Sequence, residues 1–241
     1  MPKPIDKIEN IRLRQSKDRG HANHGWLDSY FTFSFADYFD EDHMGFRSLR
    51  VINEDRVKPA QGFGTHPHQN MEILTYVIEG ALQHKDSMGH ESVINAGDVQ
   101  KITAGTGIMH SEFNASKAQD VHLLQIWILP DKKGLNPSYQ QFTLPAPDAT
   151  EPLTPIGSPE GGKNIIQFNQ DVRVYRVILK AGKGTQYKFE KGRGGWLQMV
   201  SGKLDLHGLT LVSGDGAAIE NEQQIHLACQ ANSEFLLFDL K

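Results

Sequence analysis

The sequence predicts an all-β protein built as two antiparallel β-barrels of the jelly-roll type in tandem. Three observations predict this class: short apolar runs of alternating polarity recur along the chain, long helical patterns are nearly absent, and the second half repeats the first. Short strands at regular spacing, with turn residues between them, are typical of β-sandwiches and β-barrels.

The strands are expected in apolar runs that are separated by Gly, Asn and Asp, the residues that favour turns. In chain order these runs are "MGFRSLRVINED", "EILTYVIEGALQHKDSMG", "ESVINAGDVQKI", "VHLLQIWILP", "VYRVILKAG", "WLQMVSGKLDLHG", "LTLVSGDGAAI" and "EFLLFDL".

A proline-rich segment divides the chain. Six prolines lie between Gly134 and Gly162, in "GLNPSYQQFTLPAPDATEPLTPIGSPEGG". Because proline is depleted in regular strands, we interpret the segment as a linker. We therefore predict a metal-binding barrel over residues 1–142, followed over residues 143–241 by the linker and a degenerate barrel without metal.

Composition excludes several classes of partner. The chain has 25 Lys and Arg against 29 Asp and Glu, so it lacks the basic surface that nucleic acid or an anionic membrane would require. The longest apolar run, from Val121, is about half as long as a membrane span. The charged first 20 residues contain no signal-peptide core, and Cys229 is the only cysteine, so we expect a cytoplasmic protein.

Two His-x-ligand pairs carry the chemistry. In "GTHPHQNMEILTYVIEG", read as one strand, His66 and His68 point to the same face because strand side chains alternate. In "MHSEFN", His110 and Glu112 have the same spacing. If the two faces meet inside the barrel, three imidazoles and one carboxylate surround one ion, a set that suits Fe(II), Mn, Ni, Co, Cu or Zn. Positions left open on such an ion indicate a catalytic site.

Glu72 is a rival for the carboxylate position. It follows His68 by four residues, so a regular strand would place it on the histidine face. We favour Glu112 as the fourth ligand and predict that Glu72 either accepts a hydrogen bond from a ligand or lies near the open positions of the ion. Five further histidines show no partner spacing and are not assigned to the site: His43, His84, His90, His122 and His207.

The second half of the chain repeats the order of the first without its ligands. "GTHPH…VIEGALQ…AGDVQKI" is echoed by "GTQYK…MVSGKLD…SGDGAAI". In this echo Gln186 replaces His66, Lys188 replaces His68, His226 falls near the place of His110, and Ala228 replaces Glu112. One metal ion per chain is therefore expected.

These segments resemble a known family. "GTHPHQNMEILTYVIEG" and "AGDVQKITAGTGIMHSEFN", with "RGHANHGWLDSYFTFSFADYF" near the start, are similar to the pirin family of the cupin superfamily, particularly its bacterial quercetin 2,3-dioxygenase-like members. The resemblance is close in the first half and weaker in the second. It implies a bicupin fold with the metal on His66, His68, His110 and Glu112, and Fe(II) as the first candidate ion.

The resemblance also implies an activity. Proteins of this type are similar to enzymes that open the flavonol ring of quercetin with O₂ and release carbon monoxide, with Glu112 placed to take the substrate proton. Small-molecule flavonol and O₂ are then the partners. The alternatives are a metal-sensing regulatory protein, as mammalian pirin is regarded, or a dioxygenase for another small enolic or phenolic compound.

Overall fold

The structure is a computed structural model that describes residues 7–241, and these residues fold almost entirely as β-strands. One short 3-10 helix covers Ser16–Asp18, and no helix in the described part of the chain has the length and apolar character needed to cross a membrane. The strands are β1 (Lys7–Ile8), β2 (Ile11–Arg14), β3 (Gly20–Asn23), β4 (Leu27–Phe31), β5 (Leu49–Val57), β6 (Gly62–His68), β7 (Glu72–Glu79), β8 (Ala81–Asp86), β9 (Glu91–Asn95), β10 (Asp98–Thr103), β11 (Ile108–Asn114), β12 (Val121–Ile128), β13 (Ser138–Thr143), β14 (Leu153–Ser158), β15 (Ile166–Gln167), β16 (Val172–Leu179), β17 (Gly184–Lys188), β18 (Gly194–Ser201), β19 (Lys203–Leu206), β20 (Leu209–Val212), β21 (Gly216–Ile219), β22 (Gln224–Cys229) and β23 (Ser233–Leu240). The predicted all-β class is confirmed.

The chain forms two compact units. The N-terminal unit comprises Gly20–Leu144 and Pro159–Gln170, and the C-terminal unit comprises residues 7–19 with Pro145–Ser158 and Asp171–Lys241. A single division at residue 142 does not describe these units. Residues 7–19 precede that point but belong to the C-terminal unit, and residues 159–170 follow it but belong to the N-terminal unit.

The N-terminal unit consists of two antiparallel sheets with a core between them. A seven-stranded sheet has the order β13-β10-β7-β12-β5-β4-β3, and a four-stranded sheet has the order β6-β11-β8-β9. Val77 and Val121 from the first sheet pack with Leu82 and Ile94 from the second in one buried cluster. Burial of such side chains is the main term that stabilises the unit.

The C-terminal unit repeats this plan. Strands β1-β2-β21-β18-β23-β16-β14 are consecutive in its larger sheet, and β17-β22-β19-β20 form its smaller one. Leu197 and Phe235 from the larger sheet share a buried cluster with Leu204 and Leu227 from the smaller sheet.

The interpretation of the proline-rich segment as a linker was wrong in part, because β13 and β14 lie within it. Strand β13 pairs with β10 at the edge of the seven-stranded sheet, and β14 pairs with β16. Pro155 lies within β14 at a break in the register with β16, a position at which the missing N–H of proline is tolerated.

Candidate metal centre

The stretch that the sequence predicts as one strand is two strands in different sheets. Strand β6 ends at His68 and belongs to the four-stranded sheet, whereas β7 begins at Glu72 and belongs to the seven-stranded sheet. Between them Asn70 has φ of 51°, in the left-handed region that asparagine adopts more readily than most residues. The single-strand prediction was therefore wrong, and Glu72 does not share a strand with the histidines.

Strand β6 presents its two histidines on one face. His66 and His68 are half-buried and Pro67 between them is exposed. Strand β6 is the edge of its sheet, where proline costs no hydrogen bond on the open side. Nδ1 of His66 lies 2.8 Å from the carbonyl oxygen of Gly64. Because a carbonyl can only accept, this nitrogen carries the proton and Nε2 is left with its lone pair.

Strand β11 brings His110 beside this pair. His110 is directly opposite His66 in the register of β11 with β6. The ring centroid of His110 lies 4.4 Å from that of His66 and 4.8 Å from that of His68. One ring nitrogen from each of the three histidines falls within 4.8 Å of the others, so the three imidazoles could hold one metal ion.

Glu112 lies next to His84, which the predicted site does not include. In the pairing of β11 with β8, Glu112 is opposite His84 and His110 is opposite Asp86. His84, His110 and Glu112 form a second group whose ligand atoms lie within 4.8 Å of one another. The predicted site omits His84, yet His84 and Asp86 have the same i, i+2 spacing as the predicted pairs, and that signal could have identified them.

Several buried polar atoms of the cluster have no hydrogen-bond partner among the described residues. They are both ring nitrogens of His110, Nδ1 of His84 and Oε1 of Glu112. Leaving such an atom unpaired in a protein interior costs about 1–3 kcal/mol. Imidazole nitrogens and a carboxylate oxygen are ordinary ligands of first-row transition metals, so these atoms fit a bound ion.

The histidines are held in the neutral form that metal binding requires. Burial is the main cause, and together with the neighbouring His66 and His68 it lowers the pKa of His110 to about 2. Burial and then His66 lower the pKa of His68 to about 4. Protons therefore compete little for these nitrogens near pH 7.

Glu112 has the opposite shift. Burial, with a smaller contribution from the nearby carboxylate of Asp55, raises its pKa to about 7. Gln125 opposes the shift, because its Nε2 donates to Oε2 of Glu112 at 2.9 Å. The hydroxyl of Thr75 donates to Oε1 of Gln125 at 3.0 Å and so fixes which end of the amide faces Glu112. A carboxyl group with a pKa near 7 can both take and return a proton at neutral pH.

The structure places Glu72 in a different environment. Its Oε2 lies 2.7 Å from Nζ of Lys101 and accepts the backbone N–H of Asn169 at 3.0 Å. Neither group of candidate ligands within residues 7–241 includes Glu72.

Two aromatic side chains border the cluster. The ring of Trp127 lies 5.0 Å from that of His68, and the ring of Tyr139 lies 5.1 Å from that of His84. A cavity of about 480 Å³ also reaches His68. These rings offer flat apolar surface next to the imidazoles.

In the C-terminal unit the corresponding residues face outward. Gln186 pairs with His226 as His66 pairs with His110. However, Gln186 and His226 are exposed, whereas Ile225 and Leu227 point into the core. His226 thus lies at the place of His110 in the strand register, as expected, but its side chain points outward. Both groups of candidate ligands found in residues 7–241 lie in the N-terminal unit.

Comparison with known proteins agrees with the fold and the cluster. Residues 12–128 match the family described as Pirin, and residues 155–240 match a quercetinase C-terminal cupin domain. A quercetin 2,3-dioxygenase of Escherichia coli K12 is 46% identical over 230 residues, which are 95% of this chain and 98% of that one. A pirin-like protein of Caulobacter vibrioides is 37% identical over 98% of this chain and 97% of its own.

A solved structure is similar in the same way. The crystal structure of the bacterial pirin YhhW from Escherichia coli in complex with nickel(II) has a TM-score of 0.91, with 44% identity over 95% of this chain and 98% of that one. Paired antiparallel sheets around clustered imidazoles define a metal-binding protein of the cupin class. More narrowly, the chain belongs to the pirin family of the cupin superfamily.

Proposed function

We propose that the protein is a metal-dependent dioxygenase that opens the ring of a flavonol-like substrate with O₂ and releases carbon monoxide. The observation that carries the proposal is the set of neutral, clustered imidazoles beside Glu112, a buried carboxyl group with a pKa of about 7. The relative of Escherichia coli that is named quercetin 2,3-dioxygenase supports the reaction class.

One divalent ion would be held by His66, His68 and His110, with Glu112 as the fourth ligand. Fe(II) is the first candidate, and Mn, Ni, Co, Cu or Zn also suit this donor set. When bound, the ion supplies a Lewis acid that lowers the pKa of the substrate hydroxyl.

Glu112 is the base in this proposal. Its Oε1 has no hydrogen-bond partner among the described residues, whereas its Oε2 is held by Gln125. Oε1 is therefore the oxygen that would bind the ion, and it would take the proton from the substrate hydroxyl as it leaves the ion, while Oε2 stays hydrogen-bonded to Gln125. The rings of Trp127 and Tyr139, which lie beside His68 and His84, can contact the flat flavonol.

The test replaces Glu112 by Gln and measures flavonol loss and carbon monoxide yield per bound metal ion. If Glu112 is the base, turnover at full metal loading falls about 100-fold or more, the usual worth of positioned proton transfer. Glu72→Gln is the control, assayed well below its unfolding temperature, and it should keep its rate per ion because Glu72 bonds Lys101 and Asn169 instead.

Equal small losses in the two variants would remove Glu112 from the role of base. If the wild type turns over no flavonol with Fe, Mn, Ni, Co or Cu, two readings are left: a metal-sensing regulator or an enzyme for another small enolic or phenolic compound. A panel of such compounds tested for O₂ consumption separates these two.

A further inference from the structure

His84 has the hydrogen bonding of a metal ligand. Its side chain is fully buried, and its Nε2 lies 3.0 Å from Oδ2 of Asp86. Because a carboxylate oxygen accepts, Nε2 carries the proton and Nδ1 holds the lone pair. Histidines that bind metals commonly donate their second ring nitrogen to a carboxylate in this way.

Asp86 is itself fixed in place. Its Oδ1 accepts the backbone N–H groups of Met88 at 2.9 Å and His90 at 3.1 Å, at the turn that follows β8. Its Oδ2 is thereby directed to His84. The ring orientation of His84 is thus set by the backbone through Asp86.

The lone pair of His84 has no partner within residues 7–241. Nδ1 is buried and makes no hydrogen bond to any described residue, as is also true of Oε1 of Glu112 and both nitrogens of His110. The ligand atoms of these three residues lie within 4.8 Å of one another. Ligand atoms that bind one ion tetrahedrally at about 2.1 Å are about 3.4 Å apart, so side-chain rotations that bring these atoms roughly 1 Å closer would place all three on one ion.

We propose that His84, His110 and Glu112 form an alternative position for the metal ion, which shares His110 with the group of His66 and His68. Two histidines and one carboxylate are a donor set used for Fe(II), and Co²⁺ and Zn²⁺ bind the same atoms. All three residues of this position are buried, whereas His66 and His68 are only half-buried. An ion that moves between the positions would therefore move between a more open and a more enclosed environment.

The test measures Co²⁺ binding to metal-free protein by equilibrium dialysis and visible absorption. His66→Ala His68→Ala removes the first group and should still bind one Co²⁺ per chain, more weakly than the wild type. Adding His84→Phe, which keeps an aromatic ring beside Tyr139, should abolish that binding. Because binding is measured rather than turnover, the result is independent of whether the protein oxidises flavonols.

Asp86→Asn provides the second line of evidence. Asparagine keeps an oxygen for the N–H groups of Met88 and His90 but directs an NH₂ group at Nε2 of His84, which forces the proton onto Nδ1. In the His66→Ala His68→Ala background, affinity for Co²⁺ should fall about 10–100-fold. His90→Ala is the matched control, because His90 also contacts Asp86 but is partly exposed, at 44%, and belongs to neither ligand group.

Two results would overturn the proposal. One is a folded His66→Ala His68→Ala protein, shown by its circular dichroism and cooperative melting, that binds no Co²⁺. The other is Co²⁺ binding in that protein that is unchanged, in affinity and absorption spectrum, by His84→Phe and by Asp86→Asn.

Discussion

The buried pair of Lys101 and Glu72 is expected to contribute strongly to stability and nothing to metal binding. The side chain of Glu72 is 0% exposed and that of Lys101 is 2% exposed, with 2.7 Å between Nζ and Oε2. Lys101 also donates to the hydroxyl of Thr103, and Glu72 accepts from Asn169. Both charges are therefore compensated only by each other and by a few fixed dipoles.

Removing either charge leaves the other buried without its partner. Such a loss costs about 3–5 kcal/mol, against the 0–1 kcal/mol of a pair on the surface. Out of a total stability of roughly 5–15 kcal/mol, either Lys101→Met or Glu72→Gln would remove a large share. The double variant carries no unpaired charge, so its loss should fall short of the sum of the single losses by about 3 kcal/mol.

The assay is urea unfolding of the wild type, the two single variants and the double variant, combined as a double-mutant cycle. Co²⁺ affinity is measured on the same samples below their unfolding transitions and should be unchanged. Additive losses below about 1 kcal/mol would show that the pair acts like a solvated one. A large drop in Co²⁺ affinity on Glu72→Gln alone would return Glu72 to the metal site and refute the reasoning.

Three further outcomes are expected. In the metal-free protein, Glu112→Gln should leave the free energy of unfolding unchanged below pH 4.5 and raise it by up to about 3 kcal/mol at pH 8. The folded pKa of about 7 exceeds the unfolded value of 4.5, so the buried carboxyl group of the wild type must ionise as pH rises between these values. Equal stability of both proteins at pH 8 in urea unfolding would contradict this. Gly62→Ala should lower the free energy of unfolding by about 1–3 kcal/mol and weaken Co²⁺ binding, because its Cβ would lie 2.2 Å from the carbonyl oxygen of Glu112. The control is Gly64→Ala, whose Cβ would meet nothing within 4 Å. Equal effects at both glycines in calorimetry and dialysis would count against this expectation. Asn70→Ala should lower the free energy of unfolding by about 1–2 kcal/mol, because it loses the hydrogen bond from the N–H of Gly134 and puts alanine at φ of 51°. A thermal melt identical to that of the wild type would argue against backbone strain at this position.

The features that the sequence predicts well are the local ones. Alternating polarity marks strands wherever one face is buried, and the i, i+2 spacing of His66 with His68 is enough to place both on one face. The edge position of β6 also follows from Pro67, which cannot donate a hydrogen bond to a second neighbour. These properties depend on a few adjacent residues.

What the sequence does not reveal depends on which strands become neighbours. His84 meets Glu112 because β8 pairs with β11, and that register joins residues 28 positions apart. The break at Asn70 depends on a backbone conformation that asparagine permits but does not require. Strand β13 forms at a sheet edge beside β10, where pairing with one partner is sufficient. Pro137 and Pro145 lie just outside this strand, so the proline content of the segment wrongly indicated a linker.

The two units show why an aligned histidine need not be a metal ligand. In the N-terminal unit the inward positions of β6 and β11 are His66, His68, His110 and Glu112, whereas Tyr187, Ile225 and Leu227 pack toward the core of the C-terminal unit. Because side chains alternate across a strand, an offset of one residue turns a whole ligand set from the interior to the surface. Histidines placed at positions 186 and 188 would therefore join His226 on the exposed face. The face to which the side chains point, and not ligand identity alone, thus distinguishes the C-terminal unit from the N-terminal unit with its candidate metal centre.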